Sequence, residues 1–396
     1  MDYLSSARTG PIWRRLRAPV LNLPEQSIVD IAKLGRGRND VIPLWFGEGD
    51  LQTPKFICDA ASRAMAEGKT FYTQVNGVPE FREELSRYMS GLYGTPIDAG
   101  RITVTAGGMG AIMLCAQLLV DDGDNVVVVD PIWPNIRGII QVMGGESRPV
   151  LKHCGHDGWS LDLDEVAAAC DERTKAVFVN SPCNPTGWVM MREQQRELLE
   201  FCRARGIWVI ADEVYARLAF DAPHAPSFLQ IAEPDDRLLV INSFSKAWAM
   251  TGWRLGWLTH PPELFDTMGK LMLFTTSGAT TFAQAGAITA LRDGEEFVAR
   301  VRERCRTGRD IVCAALEAMP RAQLLARPKG AMYVYFQVQG FEDSHAFCTE
   351  AIEKTGVGLA PGTNFGPGSE QFVRLCCFRA ADQLAQAMSR LEAILG

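Results

Sequence analysis

The sequence predicts an α/β fold: a large domain with a mostly parallel sheet between helices, and a smaller α+β domain built from both chain ends. Three observations carry this expectation. From residue 102 onward, short apolar runs alternate with helical patterns, as strands buried on both faces alternate with crossover helices. Glycine pairs, Asn, Asp, Ser and Lys fall at the carboxyl ends of those runs, where ligands gather in such sheets. Beyond Arg292 the texture changes to a long charged helix followed by short strands and helices.

Taken in order, the residues before about Asp50 read as an irregular arm, a helix over 27–33 and a strand over 41–45, closed by the tight turn G-E-G-D at 47–50. A helix follows over 55–67, and another begins at Val78-Pro79-Glu80, where proline suits a first helical turn. A strand over 102–105 passes through Gly107-Gly108 into a helix ending at 119. Strand 125–129, helix 132–142, strand 148–151 and helix 163–170 come next. Strand 176–179 ends in N-S-P-C-N-P-T-G, helix 192–205 follows, and strand 207–211 ends at Asp212. A strand over 238–241 then runs into Asn242, Ser243, Ser245 and Lys246. The last block holds a helix over 295–318, strands at 323–325 and 332–338, a helix over 343–354, strands at 358 and 372–375, and a helix over 381–395. The expected division is 1–50 as arm and part of the small domain, 51–292 as the large domain, and 293–396 as the rest of the small domain.

Composition narrows the function class. A chain of 396 residues with 47% hydrophobic and 22% charged residues has the make-up of a globular protein large enough for two domains. A formal net charge of −7 argues against nucleic-acid and anionic-membrane partners. No apolar run approaches the roughly 20 residues needed to span a bilayer, and the opening M-D-Y-L-S-S-A-R-T-G has no signal-peptide core. Eleven cysteines without a C-x-x-C pair fit reduced thiols, so the expected location is the cytoplasm. His153 and His156 flank a turn, and no metal site is expected. Arg14, Arg15 and Arg17 read as a solvated basic face.

The chemistry concentrates in L-L-V-I-N-S-F-S-K-A-W-A-M-T-G-W-R-L-G-W, residues 238–257. Lysine and arginine are rarely buried without partners, yet Lys246 and Arg254 sit among tryptophans. Burial disfavours the charged amine; lowering its pKa to near 7 takes roughly 4–5 kcal/mol and leaves a nucleophile for a carbonyl. Arg254 adds repulsion and a planar fork for a phosphate. An amine beside a phosphate holder suggests an aldehyde that carries a phosphate. An exposed loop lysine beside an ordinary aromatic core explains this stretch equally well, and the other segments must decide.

Ser243-x-x-Lys246, with Arg254 eight residues on, resembles the cofactor-lysine motif of the class I and II aminotransferases, fold type I enzymes that use pyridoxal 5′-phosphate. Four further stretches match that family in its order: Y-T-x-x-x-G-V-P-E-F-R from Tyr72, N-P-T-G from Asn184, A-D-E-V-Y from Ala211 and V-R-L from Val373. Together they cover nearly the whole chain. The resemblance implies a seven-stranded sheet and a defined set of roles. Lys246 would hold the cofactor as a Schiff base and then shuttle a proton. Asp212 would pair with the pyridine nitrogen, while Tyr215 and Asn184 would donate to the ring oxygen. Gly108 and Met109 at a helix amino terminus, with Ser243 and Arg254, would form the phosphate cup; Ser245 is the weaker serine. Trp133 would stack on the ring. Tyr72 would reach the phosphate of the neighbouring subunit, which implies a homodimer. Arg374 would grip the substrate α-carboxylate as a bidentate pair, beside the backbone of Gly47.

The chain also departs from the family pattern. G-E-G-D replaces the commoner G-E-P-D, residues 271–278 lack the arginine that binds acidic side chains in animal-type relatives, and Met109 stands where some relatives carry lysine. With Trp13, Phe46, Trp133 and Trp188 as pocket walls, a neutral or aromatic amino acid is expected; arm arginines leave an acidic one open. Transamination between an L-amino acid and a 2-oxo acid is the leading function. Carbon–sulfur β-elimination on cysteine thioethers needs the same residues, and a non-catalytic effector-sensing domain is the remote third. G-G-M-G lacks the G-x-G-x-x-G spacing of a dinucleotide site.

Overall fold

Four consecutive valines at 126–129 favour strand over helix, because β-branched side chains lose χ1 freedom in a helix. The computed structural model, which describes residues 15–25, 27–156 and 158–396, places them in the strand next to one edge of a seven-stranded sheet. Its strands are β1 (Ile102–Thr105), β2 (Asn125–Asp130), β3 (Glu146–Leu151), β4 (Thr174–Asn180), β5 (Trp208–Asp212), β6 (Leu238–Ser243) and β7 (Gly256–Thr259). They are hydrogen-bonded in the order β1-β7-β6-β5-β4-β2-β3. Strands β1, β2, β6 and β7 are buried at every residue, as continuous apolar runs covered by helices should be.

Strand β7 is the antiparallel member, pairing Gly256 with Ser243 on one side and with Thr105 on the other. The chain therefore leaves β6 at the sheet's carboxyl rim, makes the loop carrying Lys246, and returns from the same rim past Arg254. Registers at that rim also align Asn180 of β4 with Asp212 of β5, and Asp212 with Ile241 of β6.

A second, antiparallel sheet contains Ala322–Gln323, β8 (Tyr333–Val338), β9 (Phe372–Cys376) and Ala360–Pro361, with Tyr335 opposite Arg374. Ile42–Pro43 pairs in parallel with Val357–Gly358, which binds the amino-terminal segment to the carboxyl-terminal block. A separate core forms there from Ile28, Ile31 and Leu44 together with Val334, Phe336, Leu375 and Leu391. The helix Glu295–Glu317 buries Val298 and Val301 in the core of the large sheet, and Val312 and Leu316 in this second core.

Several elements differ from the sequence reading. The strand expected over 41–45 is only Ile42–Pro43. The helix expected from 132 begins at Asn135, after Pro131 and Pro134, because proline disfavours helix in the residue before it. The turn at His156 closes a small hairpin, His153–Gly155 with Gly158–Ser160, and His153 Nε2 lies 2.8 Å from Glu165 Oε1. Strand β7 and the helices Phe265–Thr275 and Thr281–Asp293 were not foreseen. Among the described residues no helix is long and apolar enough to cross a membrane.

Candidate active site

Lys246 lies three residues beyond the end of β6. Its Nζ donates to Gly47 O at 2.8 Å and stands 5.7 Å from the centroid of the Tyr215 ring. Burial lowers its pKa to about 8, with Arg374 and Arg254 adding repulsion, so roughly a tenth of the amine is neutral at pH 7. Opposite it, Asp212 ends β5 and accepts a hydrogen bond from Val214 N at 3.2 Å. Burial raises the Asp212 carboxyl to about 7, against the pull of Lys246. An acid so placed takes up charge readily only when a cation comes to it.

Arg254 meets the helix that begins at Gly107 by close backbone approach. Arg254 adopts the left-handed conformation (φ 51°) and donates from Nη1 to Thr251 O at 2.7 Å. Its guanidinium lies so near Gly107 that a Cβ there would meet Nη2 at 2.5 Å, and Gly107 itself has φ 76°. Glycine meets both demands. Gly107–Leu119 is a 13-residue helix whose first N–H groups have no partner within it, so its amino terminus faces Arg254 as a second source of positive potential. Ser243 Oγ lies 2.9 Å from Ser245 Oγ and accepts from Ser245 N at 3.1 Å.

Arg374, on β9, is 0% exposed. Its Nη1 donates to Asn184 Oδ1 at 2.9 Å and its Nη2 to Trp45 O, neither of them charged, and Nε has no partner among the described residues. Tyr333, Phe365 and Trp133 surround it, with ring centroids 4.4, 4.9 and 5.6 Å from Cζ. A fully buried guanidinium held by neutral oxygens is costly unless an anion comes to it.

These groups enclose a cavity of about 260 Å³. Lys246, Asp212, Tyr215, Asn184 and Trp133 line it, as do Gly47, Gly108, Met109, Ser243 and Arg254. Arg374 touches Asn184 and Tyr333 at its edge. Tyr72 is the exception: it is 93% exposed and lines no part of this cavity. Two expected pocket walls also lie elsewhere. Phe46 is 42% exposed, and Trp188 packs beneath Lys152, whose Nζ is 5.4 Å from its ring. Trp13 and Arg14 lie outside the described residues. A wider groove of about 680 Å³ shares Met109 and Asn135 with the cavity and runs past Pro134 and Val142 toward Leu23 and Glu25.

Sequence reasoning did not single out Tyr333, Asn180 and Thr251, which line the cavity together with Ser243 and Ser245. Tyr333 Oη lies 2.7 Å from Tyr215 Oη. Asn180 donates from Nδ2 to Asp212 O at 2.9 Å and accepts from Asn184 N at 2.8 Å, fixing both expected ligand residues. The alternation of Y-V-Y-F-Q-V marked Tyr333 only as a strand residue. Asn180, at the end of an apolar run beside N-P-T-G, carried a usable signal.

A buried amine of lowered pKa at the carboxyl rim of a mixed α/β sheet, with Arg254 and a buried carboxyl on the same cavity, marks this chain as an α/β enzyme with its site at that rim. Residues 39–391 match the family model for aminotransferase class I and II. The probable aspartate aminotransferase of Methanocaldococcus jannaschii is 32% identical over 379 residues, covering 94% of this chain and 98% of that protein. The arginine–pyruvate transaminase of Pseudomonas aeruginosa is also 32% identical, with 91% of each chain covered. Among solved structures, a double mutant of Thermus thermophilus aspartate aminotransferase superposes with a TM-score of 0.90 at 31% identity, covering 96% of this chain and 100% of that one. The chain belongs to the aminotransferase class I and II family, and it is a transaminase with the fold type I architecture.

Proposed function

We propose that the protein is a pyridoxal 5′-phosphate-dependent aminotransferase that moves the amino group of an L-amino acid to a 2-oxo acid, with Lys246 as the covalent anchor. The observation that carries this reading is the meeting of Lys246, Asp212 and Arg254 on one cavity, with the partly unsatisfied Arg374 at its edge. The residues fit the cofactor's chemistry: an amine of lowered pKa suits its aldehyde. The Gly107–Leu119 terminus, Ser243 and Arg254 suit its phosphate. Asp212, raised by burial, suits a pyridine nitrogen that brings a proton. When bound, the cofactor supplies a carbonyl that takes up the amino group and a ring that accepts the electron pair released at the substrate Cα.

The chain's own residues do the rest. Arg374 forks onto the substrate α-carboxylate, aided by Asn184 and the backbone of Gly47, and so holds the Cα–H bond toward Lys246. Lys246 Nζ, once free, takes the proton from Cα and redelivers it. Tyr215 and Asn184 would hold the cofactor's ring oxygen, and Trp133 would pack against its ring. Apolar Met109 beside the wider groove favours a neutral or aromatic side chain in the substrate. We further infer a homodimer in which Tyr72 serves the neighbouring site, a reading supported by the exposure of Phe71 (83%), Tyr72 (93%) and Phe274 (85%). The division into 51–292, and 1–50 with 293–396, is supported by the second core drawn from both ends.

Loaded enzyme treated with a panel of amino acids should lose its visible band to a shorter-wavelength form and return glutamate from 2-oxoglutarate. Lys246→Ala should lose both. Absence of cofactor uptake by purified protein, or release of pyruvate and thiol from a cysteine thioether in place of transamination, would refute the proposal.

A further inference from the structure

We propose that the groove beside the catalytic cavity receives the substrate side chain, that it favours α-amino acids with long apolar side chains, and that Gly138 sets how far a side chain can enter. The inference rests on the placement of cofactor and substrate proposed above, and names the substrate class. The catalytic cavity, about 260 Å³, has to hold both the cofactor and the reacting carbons, and it lies below the roughly 300 Å³ at which pockets for small ligands begin. A side chain of more than a few atoms must therefore leave it. The groove of about 680 Å³ shares two walls with the cavity, Met109 and Asn135. Those two touch, Asn135 Nδ2 donating to Met109 Sδ at 3.4 Å, and an unbranched thioether adapts readily to what passes it. From that threshold the groove follows one face of the helix Asn135–Met143. Asn135, Gly138, Ile139 and Val142 all line it, at the spacing of neighbours along one side of a helix. Seven residues at about 1.5 Å each make a track about 10 Å long. Leu23 and Pro24 of the arm line it too, and the arm is tied to the helix by Arg17 Nη2 donating to Val142 O at 2.8 Å and Gln141 Nε2 donating to Pro19 O at 2.9 Å.

Charge leaves apolar contact as the main source of selection there. Arg137, the cation in the lining, is engaged by Asp130 and by Phe365 O, and the acids Glu25 and Glu370 are exposed, with their charge in water. At Gly138 the wall is bare: a Cβ would meet Leu23 Cδ2 at 3.6 Å, an ordinary contact, so a larger residue fits the helix and stands in the groove. Glycine weakens a helix interior, so the helix itself does not call for it. The test is the half-reaction of the loaded enzyme with straight-chain donors, from alanine through 2-aminobutyrate, norvaline and norleucine to 2-aminooctanoate, followed by loss of the visible band. In the wild type the rate constant per unit concentration should climb about fourfold for each methylene that enters the groove. In Gly138→Leu alanine should react as before, while the climb stops and 2-aminooctanoate loses about tenfold or more. Val142→Trp, one turn further along, should spare norvaline and slow only the longest donors. Should Gly138→Leu melt early, Gly138→Ala, which strengthens the helix, should slow 2-aminooctanoate by about fourfold. A flat wild-type profile, a profile unchanged in Gly138→Leu, or an equal loss for alanine and 2-aminooctanoate overturns this inference alone. No change of the band with any donor in the wild type overturns the proposed function, and the inference with it.

Discussion

Replacing Asp212 by Asn removes a charge that the empty cavity cannot stabilise. The carboxyl is raised from 3.8 to about 7 in the folded chain, chiefly by burial. Between those two values the folded protein holds a proton that the unfolded chain has released, so stability falls as pH rises through the interval. Below about pH 4 both states are protonated and nothing is lost. Above about pH 7 the full penalty applies, which at 1.36 kcal/mol per pH unit is about 4 kcal/mol. Asparagine has nearly the same shape and carries no such penalty. Cofactor-free Asp212→Asn should therefore unfold in urea like the wild type near pH 4, and become the more stable protein by about 4 kcal/mol at pH 8. Glu213, next in sequence, is also raised to about 7 by burial with Asp212 contributing, so part of the gain comes from relief of Glu213. Glu213→Gln measures that share. Addition of pyridoxal phosphate should reverse the order, because only the wild type offers the pyridine nitrogen an anion. A stability gap that stays constant from pH 4 to 8 would refute the reasoning.

Arg374→Lys keeps a positive charge but loses the fork, and should lower kcat/KM for amino acids by about a hundredfold or more. Amines that lack an α-carboxylate should react equally with both proteins, and an equal loss for both donor classes would count against the clamp. The neutral amine is the nucleophile, so the rate at which cofactor-free protein takes up pyridoxal phosphate should climb with pH and level off above about 8, where Lys246 has lost its proton. Stopped-flow absorbance between pH 6 and 10 reads this directly, and a climb continuing toward pH 10 would mean an unperturbed lysine.

How much of this was legible in the sequence follows from the range of the forces involved. Strands β2, β4 and β5 could be read because burial on both faces writes itself as an unbroken apolar run. The rim residues could be read because backbone direction alone carries Asn184, Asp212 and Lys246 to one end of a parallel sheet. Strand β7 was hidden: G-W-L-T is too short to show a period, and its place is set by pairing with β6 and β1 across the sheet. Tyr333 was hidden for a related reason. Its partners, Tyr215 and Gly47, lie 118 and 286 residues away, and nothing local distinguishes it from Tyr335 two positions on. Phe46 and Trp188 were misjudged because an aromatic residue near a motif can turn to solvent or to another core as readily as to a cavity.

The helix Glu295–Glu317 serves as an axle common to both hydrophobic bodies of the molecule. Unwinding it from either end strips side chains from one body and loosens the seat of the other, so the two should melt together. Because Lys246 rides on one body and Arg374 on the other, any rocking about that axle alters the gap between anchor and clamp. The spacing between Lys246 and Arg374 is thereby tied in part to the stiffness of this helix.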